Sequence, residues 1–353
     1  NEKFKKIESK ASLKINDVFF KLNLKDKSIS INTKDGIIFI DKDYVNLSDI
    51  NINIDLFKFI NNDNSIKNIE ITTKENKIRN VSNFLNSYKF NLPLFVIYNQ
   101  IKSGNIKISA KLYFNTEKEK SFNYEINGEI FDANLNIFNK TKINNINFNF
   151  NLKDQLIILQ DIKLLYEQIE LKSKKIKISK KKENYIVSGN FKNKKNLIKP
   201  NFISRIANLE LDFLEEKKIL IETDNDFSFK VNDKRKIKDL NFKSKIQFDE
   251  IFFNKKYSNL IFLKNGNIVT NYSKENFDIK IDSKYLFLNE KLNKNIKGND
   301  DIIINISKKI NENINIKTFF KNKKNSINIK DLYQLIKFNK KFFKDQDLTF
   351  ESD

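Results

Sequence analysis

The segment Ile146-Asn147-Phe148-Asn149-Phe150-Asn151-Leu152 alternates apolar and polar residues without a break. A period of two sends successive side chains to opposite faces of a strand, so this stretch reads as a strand with one apolar and one water-compatible face. The same writing recurs upstream at Ile50, Ile52, Ile54 and Leu56, at Ile106, Ile108, Ala110, Leu112 and Phe114, and at Phe122, Tyr124 and Ile126. Downstream it returns at Phe227 and Phe229, at Leu240, Phe242, Ser244, Ile246 and Phe248, at Ile279 and Ile281, and at Ile302, Ile304 and Ile306. The expected fold is therefore a long antiparallel sheet. Its apolar face must be covered by a second sheet, by the sheet curling on itself, or by something that is not protein.

Composition supports a folded chain and limits its chemistry. The 353 residues carry 66 Lys plus Arg against 45 Asp plus Glu, a formal charge of +21, and 33 Phe. Phe at alternate strand positions is not the texture of a disordered chain. The absence of Met suggests a piece of a longer protein, since open reading frames begin with one. Lys, Asn, Ile and Phe are residues of codons rich in A and T, so base composition accounts for much of the basic excess. Only Arg79, Arg205 and Arg235 carry guanidinium, the usual group for phosphate and base-edge recognition, and nucleic acid is not an expected partner. The densest basic run, Lys180-Lys181-Lys182, reads as a solvated turn between strands at 169–179 and 185–191, with anionic lipid headgroups as the other possible contact.

Breaks in the two-residue period mark helices. Val81, Phe84, Leu85 and Tyr88 fall on one helical face, and a second segment from Pro93 through Phe95, Tyr98 and Ile101 is expected to stop at Gly104. Pro200 opens another helix with Phe202, Ile203, Ile206 and Ala207, and Leu332, Leu335, Ile336 and Phe342 suggest one more. Strand, short helix and strand over 50–72 return as a weak repeat over 327–350. The chain is read as one elongated unit of 1–353: N-terminal strands at 1–79, a helical insertion at 80–104, a meander at 105–194, a short helix at 195–208, a second meander at 209–330, and the start of a further repeat at 331–353.

Catalytic and metal chemistry finds little support. With no His or Cys there is no Ser-His-Asp or Cys-His arrangement and no zinc site of the usual kind. Six dispersed glycines form neither a P-loop nor a dinucleotide fingerprint. Glu215-Glu216 and the Asp224, Asp226 pair could bind a cation or share a proton, but adjacent acids on strands and turns are ordinarily solvated. The chain is not expected to be an enzyme, and no cofactor or metal is expected. No apolar run reaches the roughly 20 residues needed to span a bilayer.

The order of segments resembles a known family. A short helix follows N-terminal strands and precedes Ile66-Lys67-Asn68-Ile69-Glu70-Ile71; the helical insertion closes with Ile101-Lys102-Ser103-Gly104-Asn105-Ile106; a meander carries Tyr185-Ile186-Val187-Ser188-Gly189-Asn190-Phe191. In these features the chain is similar to the AsmA-like proteins of Gram-negative bacteria, the large YhdP-type members related to TamB. The resemblance implies a mainly β fold, an elongated, twisted antiparallel sheet curled into a U-shaped hydrophobic groove with a few short helices. It implies periplasmic, bridge-like transport of phospholipid between inner and outer membranes. It also implies an N-terminal inner-membrane anchor missing from this piece, and outer-membrane or envelope protein partners. The alternative is a structural or adhesive β-rich surface protein without lipid cargo.

A groove needs an apolar lining on one phase of every strand. The expected lining is Ile50, Ile52, Ile54, Ile106, Ile108, Leu112, Phe114, Phe122, Tyr124, Ile126, Ile146, Phe148, Phe150, Phe227, Phe229, Phe242, Ile246, Phe248, Ile279, Ile281, Ile302, Ile304 and Ile306. Lys107, Asn123, Asn147 and Asn149 are expected to face water. Within a strand these assignments stand or fall together, because a one-residue slip exchanges the faces.

Overall fold

The computed structural model describes residues 11–40, 43–61, 65–86, 101–114, 122–137, 141–167, 169–207, 210–232, 236–254, 261–289, 294–295 and 300–321. Of these, 78% are strand, and every strand pairing is antiparallel. The chain divides into two units, Asn1–Lys182 and Glu183–Asp353.

The first unit opens with β1 (Ala11–Lys14), β2 (Asp17–Asn23), β3 (Ser28–Lys34), β4 (Ile37–Ile40) and β5 (Asp43–Asp55). The long β5 pairs β4 along its first half and β3 along its second, so β4 and β3 form one bent row; β1 and β2 form the next. Helix α1 (Leu56–Ile60) leads to β6 (Ile66–Thr73), β7 (Asn76–Lys77) and helix α2 (Ile78–Asn86). A meander follows: β8 (Ile101–Phe114), β9 (Phe122–Ile137), β10 (Thr141–Lys153), β11 (Leu156–Tyr166) and β12 (Ile169–Lys181).

A line of bulges crosses this sheet. Asp35 (φ 54°), Asp132 (φ 48°), Asn145 (φ 50°) and Asp161 (φ 53°) hold left-handed backbone in or between strands, and Gly104 lies at φ 132°. Asp and Asn tolerate that conformation better than other side chains. The bulges stand beside one another: Asp35 N–H donates to Ser48 O at 3.0 Å, and the β9–β10 register breaks between Ile143 and Ile146 and between Ile146 and Phe148, where Asp132 lies opposite. Each bulge bends its strand, so a row of them creases the sheet along its length.

Burial follows the crease. Leu47, Ile106, Ile130, Ala133 and Ile146 are buried beside it, and among the described residues their only cover from another layer is Ile78 and Val81 of α2. A flat single sheet could not hide these side chains; the concavity does. Away from the crease the same face is only half-buried.

The second unit repeats the plan with β13 (Asn184–Ile198), helix α3 (Pro200–Ala207), β14 (Ile219–Asn232), β15 (Ile237–Phe252), β16 (Ile261–Tyr272), β17 (Asn276–Asn289), β18 (Lys294–Asn295), β19 (Asp300–Lys309) and β20 (Asn315–Lys321). Strands pair in chain order, except that β19 joins β17 directly while β18 touches only the end of β17. Bulges fall at Lys194-Lys195, at Asp239 (φ 50°) and at Asn265 (φ 49°).

Two boundaries differ from expectation. Residues 101–104 do not end a helix: β8 begins at Ile101, and Gly104 forms its bulge because a Cβ there would stand 2.7 Å from Ala133 Cα. Residues 195–198 are strand paired with β14, so the short helix begins only at Pro200. The expected helical segment over 93–98, the helix around Leu332–Phe342 and the second repeat copy lie outside the described residues.

Candidate apolar groove

Register brings the alternating apolar positions into one face. Across the first unit, Leu22 pairs Ile29 and Ile29 pairs Ile54; Phe20 pairs Ile31 and Ile31 pairs Ile52. Ile52 then pairs Ile69, Ile69 pairs Leu112, and Leu112 pairs Tyr124. Ala110 pairs Ile126, Ile126 pairs Leu152, Leu152 pairs Ile157 and Ile157 pairs Ile178. Directly opposed residues share a face. Of the expected lining, Ile50, Ile52, Ile54, Ile106, Ile108, Leu112, Phe114, Tyr124, Ile126, Ile146, Phe148 and Phe150 belong to this face. Phe122 pairs Phe114 in the backbone, and its side chain lies outside the described residues. The Tyr124 hydroxyl donates to Asp154 O at 2.8 Å, tying its ring to the neighbouring turn.

In the second unit Phe227 pairs Phe242, Phe248 pairs Gly266, and Ile246 pairs Ile268. Ile268 pairs Ile281, Ile281 pairs Ile304, Ile279 pairs Ile306, and Ile302 pairs Ser283. Phe229 stacks on Phe227 with ring centroids 6.0 Å apart, and Phe191 lies on its other side at 5.8 Å.

Glycines make room for rings on this face. Gly128 opposes Phe150, and an added Cβ would meet Phe150 Cζ at 2.4 Å and Lys107 O at 2.6 Å. Gly266 opposes Phe248 in the same way, with Phe248 Cζ at 2.1 Å. A ring laid over a strand glycine covers the backbone that the missing side chain exposes.

The concave face of the second unit also carries a polar belt. Thr223 Oγ1 donates to Asn193 Oδ1; Asn225 Nδ2 donates to Thr223 Oγ1 at 2.7 Å and to Phe191 O at 3.1 Å; Ser244 Oγ donates to Asn225 Oδ1 at 2.7 Å. Asn193 Nδ2 donates to Lys194 O at 2.9 Å and Ile221 O at 3.3 Å. Every donor of this belt is used within the protein, which leaves it no directional hold on a ligand.

The opposite face is polar. Lys107 and Asn123 are exposed, and Asn151 Nδ2 donates to Asn127 Oδ1 at 2.7 Å. Asn147 lies on this polar face with a structural task as well. Its Oδ1 accepts from Asp132 N–H at 3.1 Å and its Nδ2 donates to Asn145 O at 2.9 Å, so it fastens two bulges of the crease. Glu70 pairs with Lys111, and that hydrogen bond raises the Lys111 ammonium above its ordinary pKa.

Two of the candidate acids, Asp224 and Glu215, hold neighbouring cations. Asp224 takes Lys192 and Asn190; the Lys192 hydrogen bond foremost holds its carboxyl below the usual range, and Lys192 is raised in turn. Glu215 pairs with Lys217 at 2.7 Å. Among the described residues no group of three His, Cys, Asp or Glu is placed to hold a metal, and no helix is long and apolar enough to cross a membrane. Lys180 and Lys181 close β12, and Lys182 (φ 51°) stands in the turn beyond.

Residues beyond the expected list complete the lining. Ile69, Ile71, Leu152, Ile176, Ile178 and Ile268 are cross-strand partners of expected residues or continue their rows. Ile176-Lys177-Ile178 shows the period plainly, whereas Leu156-Ile157-Ile158-Leu159 is apolar on both phases and hides it. No protein-family model matches this chain, and neither a curated protein nor a solved structure does.

Proposed function

We propose that this protein binds phospholipid acyl chains along its apolar face and carries them between membranes, as a periplasmic, bridge-like lipid transporter of the AsmA-like kind. One observation carries the reading: an apolar ladder runs strand to strand in register, half-exposed away from the crease, with no second sheet over it among the described residues. Water on such a face is unfavourable. Each methylene moved from water onto it contributes about 0.8 kcal/mol, so a partly enclosed acyl chain gains roughly 10 kcal/mol. The belt of spent donors suits sliding cargo, because a free polar group facing the chain would hold headgroups or water in place. No step of this function needs a general base, a nucleophile or a metal.

The structural or adhesive alternative finds its support in each unit by itself: in the first, Phe150 and α2, and in the second, Phe248 over Gly266, fill space with the protein's own atoms. The half-exposed rows beyond these favour cargo. Native mass spectrometry of the purified protein decides between them: co-purifying phospholipid, lost on changing Ile126 and Ile281 to Asp, is the expected result. A lipid-free protein that does not take up added phospholipid would sink the proposal.

A further inference from the structure

Exposed apolar side chains concentrate at one corner of the first unit. Eleven of the twenty exposed large apolar residues among the described ones fall between Leu13 and Ile60, and four of them, Leu24, Phe57, Phe59 and Ile60, lie in the β2–β3 turn and on α1. The turn between β2 and β3 and the single turn of α1 stand side by side there, because Leu56 N–H donates to Lys27 O at 3.0 Å. Asp55 fixes α1 in place by accepting from Phe57 N–H at 3.1 Å and Lys58 N–H at 3.2 Å. The two tips present Leu24, Phe57, Phe59 and Ile60, with Leu24 at 73% and Ile60 at 65% exposure.

Basic groups surround these tips. Lys21, Lys25, Lys27 and Lys58 share the corner, and Lys27 Nζ stands 5.0 Å from the centre of the Phe57 ring. Among the described residues the nearby acids are engaged: Asp55 by the α1 cap and by Lys67 at 3.2 Å, Asp26 by Asn23. Two adjacent turns here carry apolar ends and basic flanks. They fit a surface that yields to apolar side chains and carries negative charge.

We infer that this corner docks on an anionic lipid bilayer, with the α1 and β2–β3 tips entering the acyl boundary and the lysines at headgroup level. The inference rests on the lipid-transport reading for its purpose, since the ladder row Leu22, Ile29, Ile54 ends at the base of α1 and would receive a chain leaving the bilayer there.

The test is co-sedimentation of the purified chain with vesicles of phosphatidylglycerol and phosphatidylcholine against pure phosphatidylcholine, beside loading of a fluorescent fatty acid into the groove. The wild type is expected to prefer anionic vesicles. F57S/F59S should weaken that binding about tenfold and K25Q/K27Q about threefold, the latter reducing its salt dependence. Leu197→Ser, an exposed apolar change in the second unit, should leave it unchanged, and fatty-acid loading should persist in all three variants. Vesicle binding that survives F57S/F59S, shows no preference for anionic lipid, or is replaced by a self-association that F57S/F59S abolishes would overturn the inference. Failure of loading with F57S/F59S-sensitive vesicle binding intact would instead overturn the groove and leave the docking corner standing.

Discussion

The two units solve the same problem with different floors. In the first, aliphatic side chains meet across the crease: Leu47, Ile106, Ile130 and Ile146 pack under Ile78 and Val81 of α2. In the second, amides and hydroxyls of Asn193, Thr223, Asn225 and Ser244 share the concave face with Ile221 and Phe248. Packing holds by volume and tolerates small shifts of register. A belt whose groups also bond backbone carbonyls holds only when each strand sits at one register, so the second floor specifies alignment more sharply than the first.

The largest effect expected from this contrast is at the aliphatic floor. Leu47→Ala should cost about 2–5 kcal/mol in urea unfolding, through lost burial and the cavity left behind. A cost well under 1 kcal/mol would mean that the crease is not packed. Next come the glycines under rings. Gly266→Val should cost about 1–3 kcal/mol by overpacking against Phe248, and the same change should cost less when made in a Phe248→Ala background, where the ring is gone. An equal cost in both backgrounds would show that the ring is not what Gly266 accommodates.

At the polar floor, Asn225→Leu should cost about 1–3 kcal/mol, since it leaves Phe191 O and the Ser244 hydroxyl without their partner. Stabilisation by this change would erase the distinction drawn between the two floors. Asn147→Ala should cost about 1 kcal/mol by unfastening the Asp132 and Asn145 bulges, while Asn149→Ala should be nearly silent. The smallest effect is a pH dependence on the outer face. Because the folded pKa of Asp224 is lowered, its contribution is present above the unfolded value of about 3.9 and is lost as pH falls through the folded one. Lys192→Gln should flatten that acid-side slope of the urea midpoint, and an unchanged slope would contradict the pairing.

Much of the sheet was legible in single strands. Alternation put Phe148 and Phe150, Ile279 and Ile281, and Ile302, Ile304 and Ile306 each on one face of its strand, and the register sets most of them opposite apolar residues of the neighbouring strands. The bulges were not legible. Asp132, Asn145 and Asp161 sit in text so rich in Asn and Asp that nothing marks the ones with left-handed backbone, and Gly104 offered a helix stop as readily as a bulge. The role of Asn147 depends on Asp132 across the β9–β10 pair, which is information about register. Ser244 was visible as a polar interruption between Phe242 and Ile246, but its partner Asn225 lies on another strand.

Site-specific photo-crosslinking to lipid tests the central claim most directly. A photoreactive residue at 126 or 281, on the concave face, should capture phospholipid in the presence of membranes, while one at the neighbouring positions 127 or 282, on the polar face, should not. Equal capture at both members of each pair, or at neither, would contradict the assignment of this face to lipid.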